Sequence, residues 1–283
     1  MRNKPIFLFA LLSFLFVIPA FCQEKSHPLS LNVYGGYGFL SPSGDNFTVT
    51  GDANSTGNGS AANTFIQTKE GLGIGSHTGI GFTLKLTEFI SAGIDADYLT
   101  GKKNIAPGQG FGAFASNHSV LSIIPNVSVK FLRKPKYNIY NTIGIIAAVK
   151  TKFDYSYITS TTEYNTFKYK YGINAGLKDA LGFQVSLYKN ISVFAEVTGY
   201  FLPVRPTSAT IVQSSSDSQS AVTVINYNIT YKNSGSYNFR QTTQQSGNIT
   251  TSTNSYTDQA PVQHIYSVGL NAGVRLNLGK INF

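Results

Sequence analysis

The stretch "GLGIGSHTGIGFTLKL", Gly71 to Leu86, carries glycine at 71, 73, 75, 79 and 81. A phosphate cradle would need G-x-G-x-x-G opening a helix, or a loop closed by Lys-Ser/Thr; neither spacing is present and no helical pattern follows. A β-strand needs alternation, and the stretch has it. Leu72, Ile74, Ile80, Phe82, Leu84 and Leu86 fall on one face, and Gly73, Gly75, His77, Gly79, Gly81, Thr83 and Lys85 on the other. Glycines confined to one face leave room there for bulkier neighbours such as Tyr34, His77 or Lys85.

The same period recurs on both sides of this strand. Ahead of it, Leu29, Leu31, Val33, Tyr37 and Phe39 alternate with Ser30, Asn32, Tyr34, Gly36 and Gly38. After it come strands near 90–98, with Asp95 and Asp97 on the polar face, 117–131, 137–149, 170–187, 191–201, with Glu196 on the polar face, and 264–278, with Arg275 on the polar face. Tight turns near 87–89, 132–136 and 188–190 alternate with long connections at 41–69, 99–116, 151–169 and 203–263. Parity sets Phe131 opposite Tyr137 and Leu187 opposite Ile191, since cross-strand partners share a face. The pattern predicts an all-β fold, an eight-stranded antiparallel up-and-down barrel with its long loops at one end.

Composition decides which way round the barrel is. Only 12% of the 283 residues are charged, and the polar rows are Gly, Ser, Asn, Thr and Tyr with isolated charges. A soluble barrel would expose its polar row and fill it with Lys, Glu and Asp; a membrane barrel turns the aliphatic row to lipid and packs small polar residues into its bore. Strands of about 10 to 16 residues exceed the roughly 9 to 11 that cross a bilayer at a tilt. Phe39, Phe89, Tyr98, Phe131, Tyr137, Tyr188, Phe201 and Tyr266 sit near strand ends, as girdle residues do. The expectation is a transmembrane barrel, with a soluble ligand-binding barrel as its rival.

Residues 1–22 read as a signal peptide: Arg2 and Lys4 are basic, Ile6 to Ile18 is apolar, and Ala20-Phe21-Cys22 offers a cleavage site. Phe21 is bulky for lipoprotein processing at Cys22. The barrel domain is then 23–283, a chain without cysteine, which excludes disulfides, thiol catalysis and cysteine metal sites. Its net charge of +7, from 20 Lys and Arg against 13 acids, suits anionic lipid or surface phosphate on an exported chain, not nucleic acid. No apolar run after the signal is long enough for a transmembrane helix.

"NAGVRLNL", Asn271 to Leu278, is similar to the C-terminal insertion signal of outer-membrane barrels, with Asn271, Gly273, Leu276 and Leu278 at its key positions. With the eight alternating strands it makes the chain resemble the small OmpA/OmpX-like outer-membrane barrels of Gram-negative bacteria. Such barrels end at the signal on an aromatic, whereas this chain runs on to Phe283. Either a bulge near Gly279 shifts the phase or the signal is read from Phe283. The resemblance implies location in the cell outer membrane, contact with outer-membrane lipid and lipopolysaccharide, delivery by the barrel assembly machinery, a monomer, both termini and the tight turns in the periplasm, and the long loops outside.

Lys85, Asp95, Asp97, Glu196 and Arg275 are the inward charges, expected to form a polar network in which Lys85 and Arg275 neutralise Asp95 and Asp97. Some eight-stranded outer-membrane barrels modify lipid A with His, Ser and an acid, so His118 with Ser119, and His264 with Ser267, are the places to look; neither pair has an acidic partner in sequence. His27 reads as part of a segment ahead of the first strand. No catalytic residue, cofactor or metal site is expected, since the four His show no ligand spacing. The 61 residues of 203–263 include 34 Ser, Thr, Asn or Gln, too polar to pack a core. Within them Ala221 to Lys232 alternates like a strand, with "NSGS" as a turn and "YNFRQTT" as its partner. The expected function is non-enzymatic, in envelope integrity or in binding an extracellular ligand or protein through the loops. The alternatives are a lipid-modifying enzyme, a small pore, or a component of a secretion or assembly machine.

Overall fold

The computed structural model describes residues 27–40, 46–53, 62–69, 73–101, 104–107, 113–158, 163–216, 222–232, 240–246, 249–259 and 263–281. The signal segment and Phe283 lie outside them. The strands are β1 (His27–Leu40), β2 (Asn46–Ala53), β3 (Ala62–Lys69), β4 (Gly75–Lys85), β5 (Ile90–Gly101), β6 (Asn104–Pro107), β7 (Ala113–Arg133), β8 (Tyr137–Ile158), β9 (Glu163–Tyr171), β10 (Asn174–Tyr188), β11 (Ile191–Val204), β12 (Pro206–Ser216), β13 (Val222–Lys232), β14 (Arg240–Ser246), β15 (Ile249–Gln259) and β16 (Gln263–Ile281).

Strands β1, β4, β5, β7, β8, β10, β11 and β16 pair antiparallel in chain order, and β16 returns to β1, so the ring of eight is closed. A closed ring gives every backbone N–H and C=O in the wall a partner. The expected facing holds around the ring. Val33, Phe82, Ile94, Val129, Ile143, Leu181, Val197 and Leu270, one from each strand, are exposed, while Asn32, Thr83, Asp97, Ser122, Thr142, Gln184, Ser192 and Asn271 are buried. Exposed aromatics gather at two levels: Phe89, Phe131, Tyr137 and Tyr188 near the turns, Phe39, Tyr98 and Phe201 near the opposite rim.

Two registers depart from the sequence reading. Phe131 does not face Tyr137: it is bulged out between Lys130, opposite Tyr140, and Leu132, opposite Ile139. Leu187 is bulged likewise, and Tyr188 takes Ile191. A bulge beside a tight turn absorbs the extra twist of the hairpin, which parity counting cannot see. The phase shift near Gly279 is real: Leu29 pairs with Gly279 and Ser30 with Asn277, leaving Leu278 unpaired, and Gly279 takes φ 106°, a conformation glycine reaches most easily. His27 opens β1, opposite Ile281.

The long connections carry strands. Residues 46–69 contain the β2–β3 hairpin. At the rim, β7 and β8 continue beyond the barrel, and β9 and β12 prolong the lines of β10 and β11. This forms an open sheet in the order β6-β7-β8-β9-β12-β13-β15-β14. The strand expected at 221–232 is present as β13, but its partners are β12 and, in parallel, β15; β14 pairs with β15 instead. The "NSGS" turn lies outside the described residues.

Candidate functional site

Among the described residues, buried acidic and basic side chains gather in the bore, behind an apolar wall. The bore has two storeys. The lower, toward the turns, is polar, and the glycines of β4 shape it. Tyr34 of β1 lies opposite Gly79, and its ring covers that glycine so closely that an added Cβ would fall 2.2 Å from Tyr34 Cζ. The Asp95 carboxylate leans over Gly81 in the same way, 1.9 Å from where a Cβ would stand. The glycines are therefore gaps for bore side chains. Gly79→Ala is expected to push Tyr34 off its position and lower stability by about 1–3 kcal/mol, read as a shift in the urea midpoint of the folded barrel; an unchanged midpoint would show the tyrosine to be loosely held.

From there a network crosses the bore. Tyr34 donates its hydroxyl to Asp97 Oδ2 at 3.1 Å, and His77 Nδ1 lies 3.1 Å from Asp97 Oδ1. Lys178 Nζ stands 3.6 Å from Asp95 Oδ2 and 4.9 Å from the centre of the Tyr34 ring, and Asn126 Nδ2 donates to Asp95 Oδ2 at 3.0 Å. Tyr140 donates to Glu196 Oε1 at 2.8 Å. Arg275 donates from Nε to Asn32 Oδ1 and from Nη1 to Gln184 Oε1, both at 2.7 Å, with its guanidinium between the Tyr140 and Phe194 rings. The space these groups leave is a small polar cavity lined among others by Tyr34, Asp95, Lys178, Glu196 and Arg275.

Four of the five expected inward charges, Asp95, Asp97, Glu196 and Arg275, meet here, but the expected pairing is corrected. Lys85 is the last residue of β4, part-exposed at the turn-side mouth. Arg275 shares a cross-strand row with Asn32, Gly81 and Asp95, so Asn32 stands between and takes the guanidinium. The cation for Asp95 is Lys178, 4% exposed and three barrel strands further along in chain order, where a hairpin neighbour would be one. The signal was present, since Lys178 lies on the even-numbered inward row of β10; a lysine flanked by Leu177 and Asp179 gave no local reason to single it out.

The upper storey corrects the expectation of a polar bore throughout. Leu99, Val120, Ile124, Ile146, Phe153, Leu202, Val204 and Ile265 point inward and form a buried apolar plug. Ser122 and Tyr200 mark its floor, their hydroxyls 2.9 Å apart, with the His77 ring edge-on to Tyr200. His118 is buried beside Phe153, whereas Ser119 falls on the other face of β7. His264 is at the outward rim, its Nδ1 2.6 Å from the Tyr266 hydroxyl, which stands on the opposite face from Ser267. The structure thus brings neither sequence-flagged His–Ser pair together. The insertion-signal residues divide between faces: Asn271 is buried and bonded to Thr198 Oγ1 at 3.0 Å, Gly273 lies against Phe194, and Leu278 is exposed. On the open sheet, Asp154 holds the exposed Lys152 ammonium at 2.8 Å and raises its pKa by hydrogen bonding. Among the described residues no cluster of His, Cys, Asp and Glu could hold a metal ion.

No protein-family model matches the chain, and no curated protein matches it in sequence. Among solved structures it is similar to one described as the crystal structure of a Pseudomonas aeruginosa FadL homologue, at 8% sequence identity over 90% of each chain, with a TM-score of 0.21.

Proposed function

We propose that this chain is an outer-membrane barrel of the OmpA/OmpX-like kind, a non-enzymatic protein with a sealed bore. On this reading it serves envelope integrity or surface interaction through the sheet and loops above its rim. The observation that carries the proposal is the inverted polarity: an apolar belt on all eight strands outside, and a hydrogen-bonded network of acidic, basic and polar side chains inside. Soluble monomers rarely expose contiguous apolar patches beyond a few hundred Å², whereas lipid favours this arrangement. The packed bore argues against a pore, since eight strands enclose a space that side chains fill. The His77–Asp97 pair is buried within the barrel, 7% and 2% exposed, which supports a structural role for it.

Fractionation and facing test this together. The protein is expected in the outer-membrane fraction, migrating differently in SDS with and without boiling. Phe82→Cys, 46% exposed, is expected to react with a lipid-soluble maleimide in intact membranes, and Ser122→Cys, fully buried, to stay unlabelled. A soluble periplasmic protein, or labelling at 122 and none at 82, would overturn the reading.

A further inference from the structure

The sheet above the rim turns one face in over the plug and continues the outward row of the barrel with the other. His118, Phe153 and Ala209 are buried on the first face, and Tyr169 packs against the plug beside Phe153. Alternation puts their chain neighbours on the second face, where the registers align them in rows across the strands. One row runs Thr100, Ser119, Lys152, Lys170 and Ser208 across β5, β7, β8, β9 and β12. The next row away from the barrel runs Asn117, Asp154, Lys168, Thr210 and Asn228 across β7, β8, β9, β12 and β13. Lys150, opposite Leu121, and Arg205, next to the buried Val204, are exposed where this face meets the rim.

Four lysines and an arginine thus share the face with one carboxylate, Asp154, which holds Lys152 at 2.8 Å. Lys150, Lys168 and Lys170 make no ion pair among the described residues. Lys152 stands directly opposite Lys170, and like charges so placed destabilise the pairing of two strands. In a chain only 12% charged, with Ser, Thr and Asn at the neighbouring positions, folding gives no reason for this concentration. Departures of this kind from what the fold favours gather at functional sites.

Geometry and chemistry narrow the partner. Alternate residues of a strand are about 7 Å apart and neighbouring strands about 5 Å, so Lys150, Lys152, Lys170 and Lys168 form a cationic strip that steps from β8 to β9. No aliphatic or aromatic residue stands in either row above the rim, so an acyl chain has nothing to lie on. Nucleic-acid bases have no ring to stack on there either. Hydroxyl and amide groups flank the ammonium groups instead, which suits a ligand that carries hydroxyls and acids together. An acidic peptide supplies the acids without an array of hydroxyls.

We infer that the outward face of β7, β8, β9 and β12 above the rim binds an acidic polysaccharide through Lys150, Lys152, Lys168 and Lys170. Its carboxylates or sulfates take the ammonium groups, and its hydroxyls take the Ser, Thr and Asn side chains beside them. The inference rests on the surface-interaction reading and names the class of ligand.

The test uses the full chain purified in detergent and anisotropy titrations with labelled heparin fragments, with labelled dextran as the uncharged counterpart. Wild type is expected to bind heparin and not dextran, and to bind more weakly as salt screens the exposed charges. Lys152→Thr with Lys170→Thr should lower the affinity roughly ten-fold, the scale of two exposed ion pairs, while keeping the heat-dependent shift in SDS mobility. Lys136→Thr with Lys189→Thr removes the same charge from exposed positions at the opposite, turn-side end and should leave the affinity unchanged. An equal loss in both double variants would show net charge alone at work and overturn the inference. So would undetectable heparin binding by wild type, or polyglutamate or duplex DNA of matched charge binding as tightly as heparin. A chain that fractionates with the outer membrane without binding heparin fails this inference alone; one absent from membranes fails the reading beneath it.

Discussion

Arginine in place of Ile94 is expected to destabilise the membrane-embedded barrel by about 2–4 kcal/mol, the range for a basic residue near the middle of a lipid-facing strand. Ile94 is 50% exposed and central on β5, flanked across the ladder by Phe82 and Pro125, with no outward carboxylate among these neighbours to pair with the guanidinium. In water the same change would remove an exposed aliphatic side chain and add a solvated charge, which stays within about 0.5 kcal/mol. The two environments thus predict different results from one substitution. Urea unfolding of the protein in lipid vesicles reads it directly. A shift under about 0.5 kcal/mol would place β5 in contact with water and sink the membrane assignment.

Lys178→Met is expected to cost about 3–5 kcal/mol, because it strands the Asp95 carboxylate inside the bore. The ammonium is 4% and the carboxylate 10% exposed, so solvent offers little compensation once one partner is gone. Asn126 still donates to Asp95, but a single amide replaces only part of the lost charge. Adding Asp95→Asn to Lys178→Met removes both charges and is expected to restore most of the loss, a coupling that a double-mutant cycle measures. If the double variant is no more stable than Lys178→Met, the two residues act independently and the network has another centre.

The alternation of β4, with Phe82 outward and Thr83 inward, was legible because a strand's faces are set by odd and even positions and need no knowledge of the partner. Asp95, Asp97, Glu196 and Arg275 were legible as bore residues for the same reason. The pairing of Lys178 with Asp95 was not, because it joins β10 to β5 across the bore, a contact that only closure of the ring creates. The apolar plug was hidden where both faces are apolar: along Val120, Leu121, Ile123 and Ile124 hydrophobicity names no inside. Apart from β13, the sheet above the rim was hidden for the opposite reason. Its Ser, Thr, Asn and Gln lack an apolar face, yet a ladder of main-chain hydrogen bonds forms without one.

By itself the sequence determined that the chain is all-β, that eight strands alternate, which rows are aliphatic and which polar, and that glycines crowd one face of β4. Those properties depend on residue type and on a period of two, both local. The tertiary structure alone decided which charge meets which, where the bulges at Phe131, Leu187 and Leu278 fall, and that the bore changes from ionic to apolar along its length. It also set Asp179 and Asn141 together on the outward wall, 38 residues apart in the chain and 2.7 Å apart in space. These depend on the register in which distant strands close into a ring, and register is a property of the whole sheet.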